Sequence, residues 1–293
     1  MNGFIAIDKG KDFTSFDVIA KLRGILKTKK IGHTGTLDPM ATGVLVCMIG
    51  RAAKLIQYLP TADKDYRAEI RFGIATDTLD ITGQIIDRCD KQITLRQIED
   101  ILPEFTGDIL QLPPMFSAIK IDGQKLCDLA RKGINLDRKS RKITIHKIDI
   151  IDFSNQVLSI DVSCSAGTYI RTLADDLGKE LGTFATLKSL RRTAANGITI
   201  DKTITLDELE QAENPWEFVK NADDLLRIYP KVEITQPQAA RVQNGGYLDL
   251  NRLNCEKCDD GALLRLFEAD RFIALGKIDL NREIVNLACL FEV

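Results

Sequence analysis

The chain has 293 residues, of which 44% are hydrophobic and 28% are charged, a composition typical of a globular protein with one large domain or two unequal ones. No apolar run has the length of a signal peptide or the ~18 residues that a membrane helix needs. The seven scattered cysteines favour reduced thiols over a disulfide framework. We therefore expect a cytoplasmic, monomeric protein with no membrane association.

Charge is distributed unevenly along the chain, although the net charge is only −2. Residues 1–60 contain nine lysines and arginines against four acidic residues, and residues 120–147 contain nine against three. Residues 201–293 contain eleven basic against eighteen acidic residues. Because phosphate binding depends on local charge, the two basic stretches allow a nucleic-acid partner. They are equally compatible with ordinary solvated faces.

The first informative element is the segment 31–54, which reads IGHTGTLDPMATGVLVCMIGRAAK. Glycines and threonines surround one aspartate, Asp38, ahead of an apolar run that predicts a core strand over residues 44–49. Small residues let the backbone of a polymeric ligand approach closely, and Pro39 favours an extended conformation at Asp38. The segment therefore predicts a turn that presents one carboxylate to a groove. The alternative is a tight turn in which Asp38 accepts backbone hydrogen bonds.

Residues 94–142 combine a helix signal with a loop signal. Thr94 is predicted to cap a helix whose apolar stripe is interrupted at Pro103 and ends near Gly107. Residues 107–142 are loop-prone, interrupted by two adjacent prolines and rich in basic side chains, which predicts an excursion from the core that could contact a partner.

The second half of the chain begins with clearer periodicities. Alternation over residues 158–164 predicts a half-buried strand, and the apolar spacing over residues 170–181 predicts a helix. Residues 230–293 predict short strands with turns at 244–246 and 259–261, consistent with a small β-barrel.

The familiar cofactor and metal motifs are missing from the sequence. It contains neither a phosphate-binding loop nor a dinucleotide-binding glycine turn. His33 and His146 are too few for a histidine-rich metal site, and His146 is expected to be an exposed strand residue. Residues 255–258 form a lone C-x-x-C, for which a zinc site is the weaker interpretation. Residues 77–80 have the wrong spacing for a calcium loop, so we expect neither a metal nor a cofactor.

Five sequence blocks carry a resemblance to a known family. They are Ile7–Lys9 with Thr14–Ser15 and GHTGTLDPMATG, Tyr66–Ala68 with GIATDTLDITG, QLPPMFSAIKIDGQ, SAGTYIRTLADDLG, and Leu190–Thr193. In this order, over about residues 3–200, they resemble the TruB family of tRNA pseudouridine synthases. Two positions depart from the family pattern, Gly10 in place of proline and Cys127 in place of tyrosine, and neither is a proposed catalytic group.

The resemblance implies a fold, a domain division and an activity. The implied fold is α+β, with a mixed, largely antiparallel sheet flanked by helices and a small C-terminal PUA-like β-barrel. Residues 1–228 would form the catalytic domain, with an RNA-clamping excursion at about 107–142, and residues 229–293 the barrel. The implied activity converts uridine 55 in the T-loop of tRNA to pseudouridine without a cofactor.

The resemblance also assigns roles to individual residues. Asp38 would be the catalytic nucleophile. The implied substrate-binding residues are His33, Tyr66, Tyr169, Arg171 and Leu190. Tyr66 would stack on the target base, Tyr169 and Leu190 would line its pocket, and Arg171 would pair with Asp38. His33 would occupy the space vacated when the RNA loop opens.

The chemistry of this isomerisation suits the residues present. It consumes neither an oxidant nor a phosphate, and an aspartate with an ordinary pKa near 3.9 is ionised at pH 7 without a general base. A carboxylate can attack the uracil ring or assist cleavage of the sugar–base bond, and the sequence leaves both routes open. The alternatives are a non-catalytic RNA-binding protein and a glycoside hydrolase. The hydrolase needs a second carboxylate, for which Asp77 and Asp80 are candidates.

Overall fold

The computed structural model describes residues 2–60, 63–121, 123–255 and 259–292. The strands are β1 Gly3–Lys9, β2 Ile31–His33, β3 Thr42–Ile49, β4 Lys64–Phe72, β5 Ile74–Thr76, β6 Ile85–Arg88, β7 Gly107–Gln111, β8 Lys120–Ile121, β9 Gln124–Lys125, β10 Arg141–Ser154, β11 Val157–Cys164, β12 Ala185–Ala195, β13 Ile198–Thr199, β14 Ile204–Thr205, β15 Lys231–Glu233, β16 Leu248–Asp249, β17 Leu263–Glu268, β18 Arg271–Asp279 and β19 Ile284–Leu290. The α-helices are α1 Ser15–Ile25, α2 Leu95–Ile101, α3 Leu126–Ala130, α4 Ile170–Glu180, α5 Leu206–Gln211 and α6 Gln236–Gln243. Short 3₁₀-helices occupy Gly50–Tyr58, Leu102–Phe105, Ile200–Lys202, Pro215–Phe218, Ala222–Leu226 and Leu250–Arg252.

The larger sheet has the strand order β14-β1-β3-β12-β4-β11-β10-β7, with β2 paired to β3 and β13 paired to β12. Most neighbours are antiparallel, whereas β1 with β14 and β3 with β12 are parallel. The predicted mixed, largely antiparallel sheet flanked by helices is confirmed. Within the described part of the chain, no helix is both long and apolar enough to cross a bilayer.

Strands β1 and β3 of this sheet are buried on both faces. In β1, Ile5 and Ile7 pack into a core that includes the apolar residues of α1, α4 and α5. The alternate residues Phe4 and Ala6 pack on the other face, against side chains of the C-terminal sheet. Because successive strand residues point to opposite faces, this double burial accounts for the uninterrupted apolar run of residues 44–49 in β3.

The C-terminal part contains a five-stranded sheet in the order β15-β17-β18-β19-β16. The prediction of a small β-rich unit is therefore confirmed, but the prediction of strands alone is wrong at α6. A capping box between Thr235 and Gln238 begins that helix, and Asn244 forms its C-cap. The glycines at 245 and 246 consequently end a helix, and they do not form a hairpin turn.

Several local predictions are confirmed. Thr94 forms a capping box with Gln97 at the start of α2, and a 3₁₀-helix containing Pro103 follows directly. β11 and α4 lie where the periodicities of residues 158–164 and 170–181 predict them.

The predicted excursion is shorter than residues 107–142. β7 pairs with the beginning of β10, so that Gln111 lies opposite Arg141 and Leu110 lies opposite Lys142. The prediction is wrong at both ends because these residues gain main-chain hydrogen bonds in the sheet, which a reading of prolines and charge does not detect. The segment that leaves the sheet is 112–140, and it contains β8, β9 and α3.

Candidate active site

Asp38 lies in the connection between β2 and β3, residues 34–41, which we call the Asp38 turn. Its side chain is 35% exposed, and its carbonyl oxygen accepts a hydrogen bond from the N–H of Ala41 at 3.1 Å. Among the described hydrogen bonds, the Asp38 carboxylate receives donors from one guanidinium group and none from its own turn. The turn thus leaves this carboxylate accessible at the surface.

The guanidinium group belongs to Arg171, the second residue of α4. Its Nε lies 2.9 Å from Oδ2 of Asp38, and its Nη2 lies 3.3 Å from Oδ1. The Arg171 side chain is only 5% exposed. One hydrogen bond, from Nη2, and the closer ionic contact of Nε hold the carboxylate against a buried guanidinium. The structure therefore brings together two residues that are 133 positions apart in the sequence.

Arg171 is itself held from three other directions. It donates to the carbonyl oxygens of Thr78 at 3.1 Å and Phe116 at 2.7 Å, and its Nη1 lies 3.8 Å from Oδ2 of Asp80. Asp80 is buried, and its Oδ1 accepts hydrogen bonds from the N–H and the hydroxyl of Thr82. These contacts orient Asp80 towards Arg171, so Asp80 supports the Asp38–Arg171 pair. The sequence reasoning considered Asp80 only as a metal ligand or a second acid.

Two fully buried cations hold the Asp38 turn, and the sequence reasoning assigned neither of them a role. Lys9 donates from Nζ to three carbonyl oxygens, including that of Pro39 at 3.2 Å. Arg192 donates to the carbonyl oxygens of Gly35 at 3.1 Å and Thr36 at 3.3 Å. Both side chains are 0% exposed. Their only sequence signal was membership of the first and fifth family blocks.

One glycine of the turn region is required by close backbone contact. Gly43 has φ +101°, and a Cβ atom there would lie 2.2 Å from the carbonyl oxygen of Arg192. The predicted close approach is therefore real at this position, but the approaching backbone is that of β12. On the other side of the turn, the Leu37 N–H donates to the hydroxyl of Ser15 in α1 at 2.8 Å.

Tyr66 and Leu190 lie on the adjacent strands β4 and β12, beside the turn. Tyr66 is 7% exposed and pairs across the strands with Arg192, and Leu190 is 8% exposed and pairs with Ala68. Burial raises the pKa of the Tyr66 hydroxyl, and the nearby Asp38 charge raises it further. Tyr66 is therefore protonated at neutral pH and close enough to Asp38 to sense its charge.

Tyr169 immediately precedes α4, two residues before Arg171. Its N–H donates to Oε1 of Gln111 at 2.8 Å, and its carbonyl oxygen accepts from Nε2 of the same side chain at 3.1 Å. Burial raises the pKa of its hydroxyl, and the Asp38 charge contributes in the same direction. Tyr169 thus also lies near the carboxylate, fixed by a reciprocal amide contact.

His33 ends β2 opposite Cys47 and is half-buried. Burial and the positive charge of Arg192 both lower its pKa, so the imidazole is neutral at pH 7. Its Nδ1 is buried without a hydrogen-bond partner. The structure places His33 beside the Asp38 turn and gives it no direct bond to Asp38 among the described contacts.

The environment of Asp38 acts on its ionisation in two directions. Burial raises the pKa of the carboxyl above 3.8, and the negative charge of Asp80 adds to the increase. Arg171 and Lys9 oppose this effect, but burial is larger. The sequence analysis expected an ordinary pKa near 3.9 for Asp38. The pKa is instead raised, because Arg171 only partly offsets the cost of burying the charge.

The remaining candidate ligands do not gather into a metal site within the described residues. Cys258, half of the C-x-x-C pair, lies outside those residues. The interpretation that this pair does not bind zinc therefore stays a prediction. His146 is an exposed residue of β10, as predicted, with Nε2 lying 3.3 Å from Oδ2 of Asp63.

Comparison with known proteins assigns the family. A model of the TruB family pseudouridylate synthase N-terminal domain matches residues 23–170, and a model of the tRNA pseudouridylate synthase B C-terminal domain matches residues 171–229. The chain belongs to the TruB family. It is therefore a pseudouridine synthase, an isomerase.

Individual TruB family relatives match most of the chain. The tRNA pseudouridine synthase B of Clostridium tetani is 39% identical over 94% of this chain and 96% of its own length. That of Bacillus pumilus is 44% identical over 85% of this chain and 84% of its own length. Among solved structures, a chain from a Cbf5–Nop10–Gar1 complex superposes with a TM-score of 0.75 at 25% identity, covering 98% of this chain and 84% of that one. The TruB-type fold thus extends over both sheets.

Proposed function

We propose that this TruB family member isomerises uridine 55 in the T-loop of tRNA to pseudouridine, with Asp38 as the nucleophile and no cofactor. The observation that carries the proposal is the partly exposed Asp38 carboxylate, held by an ion pair and a hydrogen bond with the buried Arg171. The name of the relatives, tRNA pseudouridine synthase B, supports tRNA as the substrate.

The isomerisation breaks the N1–C1′ bond of the nucleotide and joins C5 to C1′, while C5 loses a proton and N1 gains one. In one route the Asp38 carboxylate attacks C1′ of the ribose, and in the other it attacks the uracil ring. Both routes begin from the ionised carboxylate. Arg171 stabilises that form and keeps an oxygen aimed at the nucleotide.

The base must leave its stack before Asp38 can reach it, at a cost of a few kcal/mol. We assign Tyr66 to stacking on the extruded base, which returns ~1–3 kcal/mol. Leu190 and Tyr169 line the pocket, where Leu190 excludes water from the reacting atoms. His33, which is neutral and half-buried, enters the space that the base vacates.

We assign RNA binding to the basic segments. Lys27, Lys29 and Lys30 are exposed ahead of the Asp38 turn, and exposed basic side chains also crowd the end of segment 112–140. Such cations neutralise phosphates and make affinity fall with salt concentration. Residues 1–228 are proposed as the catalytic domain and residues 229–293 as a PUA-like domain. The acidity of the latter argues against extensive RNA contact.

The direct experiment incubates unmodified tRNA with wild type, Asp38→Asn and Asp161→Asn, followed by chemical mapping of pseudouridine. Asp161 is the matched control because it also pairs with a guanidinium group, that of Arg67 on the exposed face of β4 and β11. We expect wild type and Asp161→Asn to modify position 55 alone. Asp38→Asn should bind the tRNA without converting it.

Each other outcome has a definite meaning. Conversion by Asp38→Asn at the wild-type rate would remove Asp38 from its catalytic role. Modification at another position would refute uridine 55 as the target. Binding without conversion by wild type would favour a non-catalytic RNA-binding protein, and release of free uracil would indicate a glycoside hydrolase.

A further inference from the structure

A strip on one flank of α1, formed by Phe16 and Arg23, has been given no role in the site described above. We propose that this strip, the α1 strip, binds an unpaired base and the adjacent phosphate of the RNA substrate, outside the pocket for the target uridine. The inference rests on the proposed function, because it concerns how the same RNA is held.

The aromatic member of the strip is strongly exposed. The Phe16 side chain is 66% accessible to solvent, whereas Ser15, the preceding residue, is buried. The Ser15 hydroxyl accepts a hydrogen bond from the Leu37 N–H at 2.8 Å. Ser15 therefore ties the first turn of α1 to the Asp38 turn, and Phe16 is the next residue along this helix. A free aromatic face there can stack on any base, since every base offers a π face.

The cationic member lies beside that ring. The Arg23 guanidinium carbon is 5.8 Å from the centre of the Phe16 ring. Residues seven positions apart lie two helical turns apart on the same flank, and both residues belong to α1.

Arg23 has unused hydrogen-bonding capacity. Among the described residues, no ion pair includes Arg23. The Nε of Arg23 is buried without a hydrogen-bond partner. A guanidinium with free donors beside an exposed ring matches a phosphate next to a stacked base.

A second cation of α1 is already paired. Lys21 forms an ion pair with Glu210 of α5 at 3.7 Å, and its ammonium group lies 5.7 Å from the centre of the Phe13 ring. One aromatic ring beside one cation is a small surface for a protein partner, whose interface normally buries a larger apolar area. The same surface is the right size for one nucleotide.

The test measures RNA affinity in the Asp38→Asn background, which keeps the bound tRNA unreacted. Phe16→Ala should weaken binding about 5- to 150-fold, the effect of losing one stacked base. Phe16→Trp should retain wild-type affinity. The control is Phe218→Ala, which removes another exposed phenylalanine. Phe218 lies two residues before Lys220, and Lys220 pairs with Phe4. Phe4 is near the end of β1 that is opposite Lys9. Phe218→Ala should leave affinity unchanged.

The bound base is identified by removing bases from the RNA one at a time at its unpaired positions. At one position, the protein with Phe16 and the Phe16→Ala protein should bind the abasic tRNA equally weakly. Arg23→Gln should reduce the slope of log affinity against log salt by about 0.7–0.9, the share of one phosphate. These comparisons measure binding alone. The proposed function would instead fail through the absence of pseudouridine in the wild-type reaction, so the two failures can be distinguished.

Three results would overturn the α1 strip. One is an affinity of Phe16→Ala within twofold of the parent protein. Another is an equal loss in Phe218→Ala, because the effect would then not belong to α1. The third is that every abasic tRNA still binds the protein with Phe16 more tightly than the Phe16→Ala protein.

Discussion

Replacing Arg171 by lysine tests whether the two-pronged contact with Asp38 drives the reaction. Arg171 contacts both carboxylate oxygens, at 2.9 and 3.3 Å, whereas an ammonium group is a single point charge. The variant keeps the charge but loses at least one charge-assisted hydrogen bond, worth ~1.5–3 kcal/mol. If that energy is lost in the transition state, the single-turnover rate falls about 10- to 150-fold.

The same substitution has a structural cost that must be measured separately. The carbonyl oxygens of Thr78 and Phe116 lose their guanidinium donor, and each loss costs ~1–3 kcal/mol where water cannot replace it. Urea unfolding gives this destabilisation. The rate is measured at saturating enzyme and at a temperature where the variant is fully folded.

The matched control for Arg171→Lys is Arg67→Lys. Arg67 bonds both oxygens of Asp161 at 2.8 Å, but this pair is largely exposed, so its loss should cost below ~1 kcal/mol and leave the rate unchanged. A folded Arg171→Lys protein with a rate within threefold of wild type would refute the role assigned to the paired contacts.

Two further predictions concern the Asp38 turn. Gly43→Ala should destabilise the protein by several kcal/mol in urea unfolding, because its φ is +101° and its Cβ would lie 2.2 Å from a carbonyl oxygen. Gly24→Ala, in the last turn of α1 where a Cβ meets nothing within 4 Å, should instead stabilise it by up to ~1 kcal/mol, and the reverse order would contradict this account. Burial raises the pKa of folded Asp38 above 3.8, so ionisation of this carboxyl lowers the stability of the folded protein. The loss of stability is absent well below pH 3.8, and it is complete once the pH exceeds the pKa of the folded state. Asp38→Asn should therefore raise the Tm at pH 7 by an amount that shrinks towards pH 4, and the wild-type rate should fall on acidification at a pH above 3.8; a pH-independent difference in Tm would contradict the shift.

Local signals predicted the fold wherever one short segment determined its own structure. Thr94 and Pro103 are examples, because a capping side chain and a missing N–H act within one turn. α6 was missed because it has only eight residues and the glycines that follow it resemble a hairpin turn. Its signal was present in Thr235 and Gln238, the pair that forms the capping box. β7 was missed because the energy of an edge strand comes from its partner β10.

The candidate site divides along a similar line. Asp38 stood out as the single charge in a glycine-rich turn, but its pairing with Arg171 followed from the family resemblance, since no periodicity links residues 133 positions apart. Lys9 and Arg192 were missed because they bind carbonyl oxygens, which every residue possesses and no sequence pattern identifies. The direction of the pKa shift of Asp38 also required the structure, because burial is a property of the packed site.

The shared core behind β3 has a consequence for how the enzyme is made. Val44 and Val46, in the strand that leaves the Asp38 turn, lie in one cluster with Phe272 of β18 and Cys289 of β19. During synthesis, β3 emerges before β18 and β19, so the face of β3 that carries Val44 and Val46 stays exposed to water until those strands have been made. A nascent chain can therefore carry every reactive group and still lack the rigidity to use them. Docking of the C-terminal strands would then set the moment at which the strand behind the Asp38 turn becomes rigid.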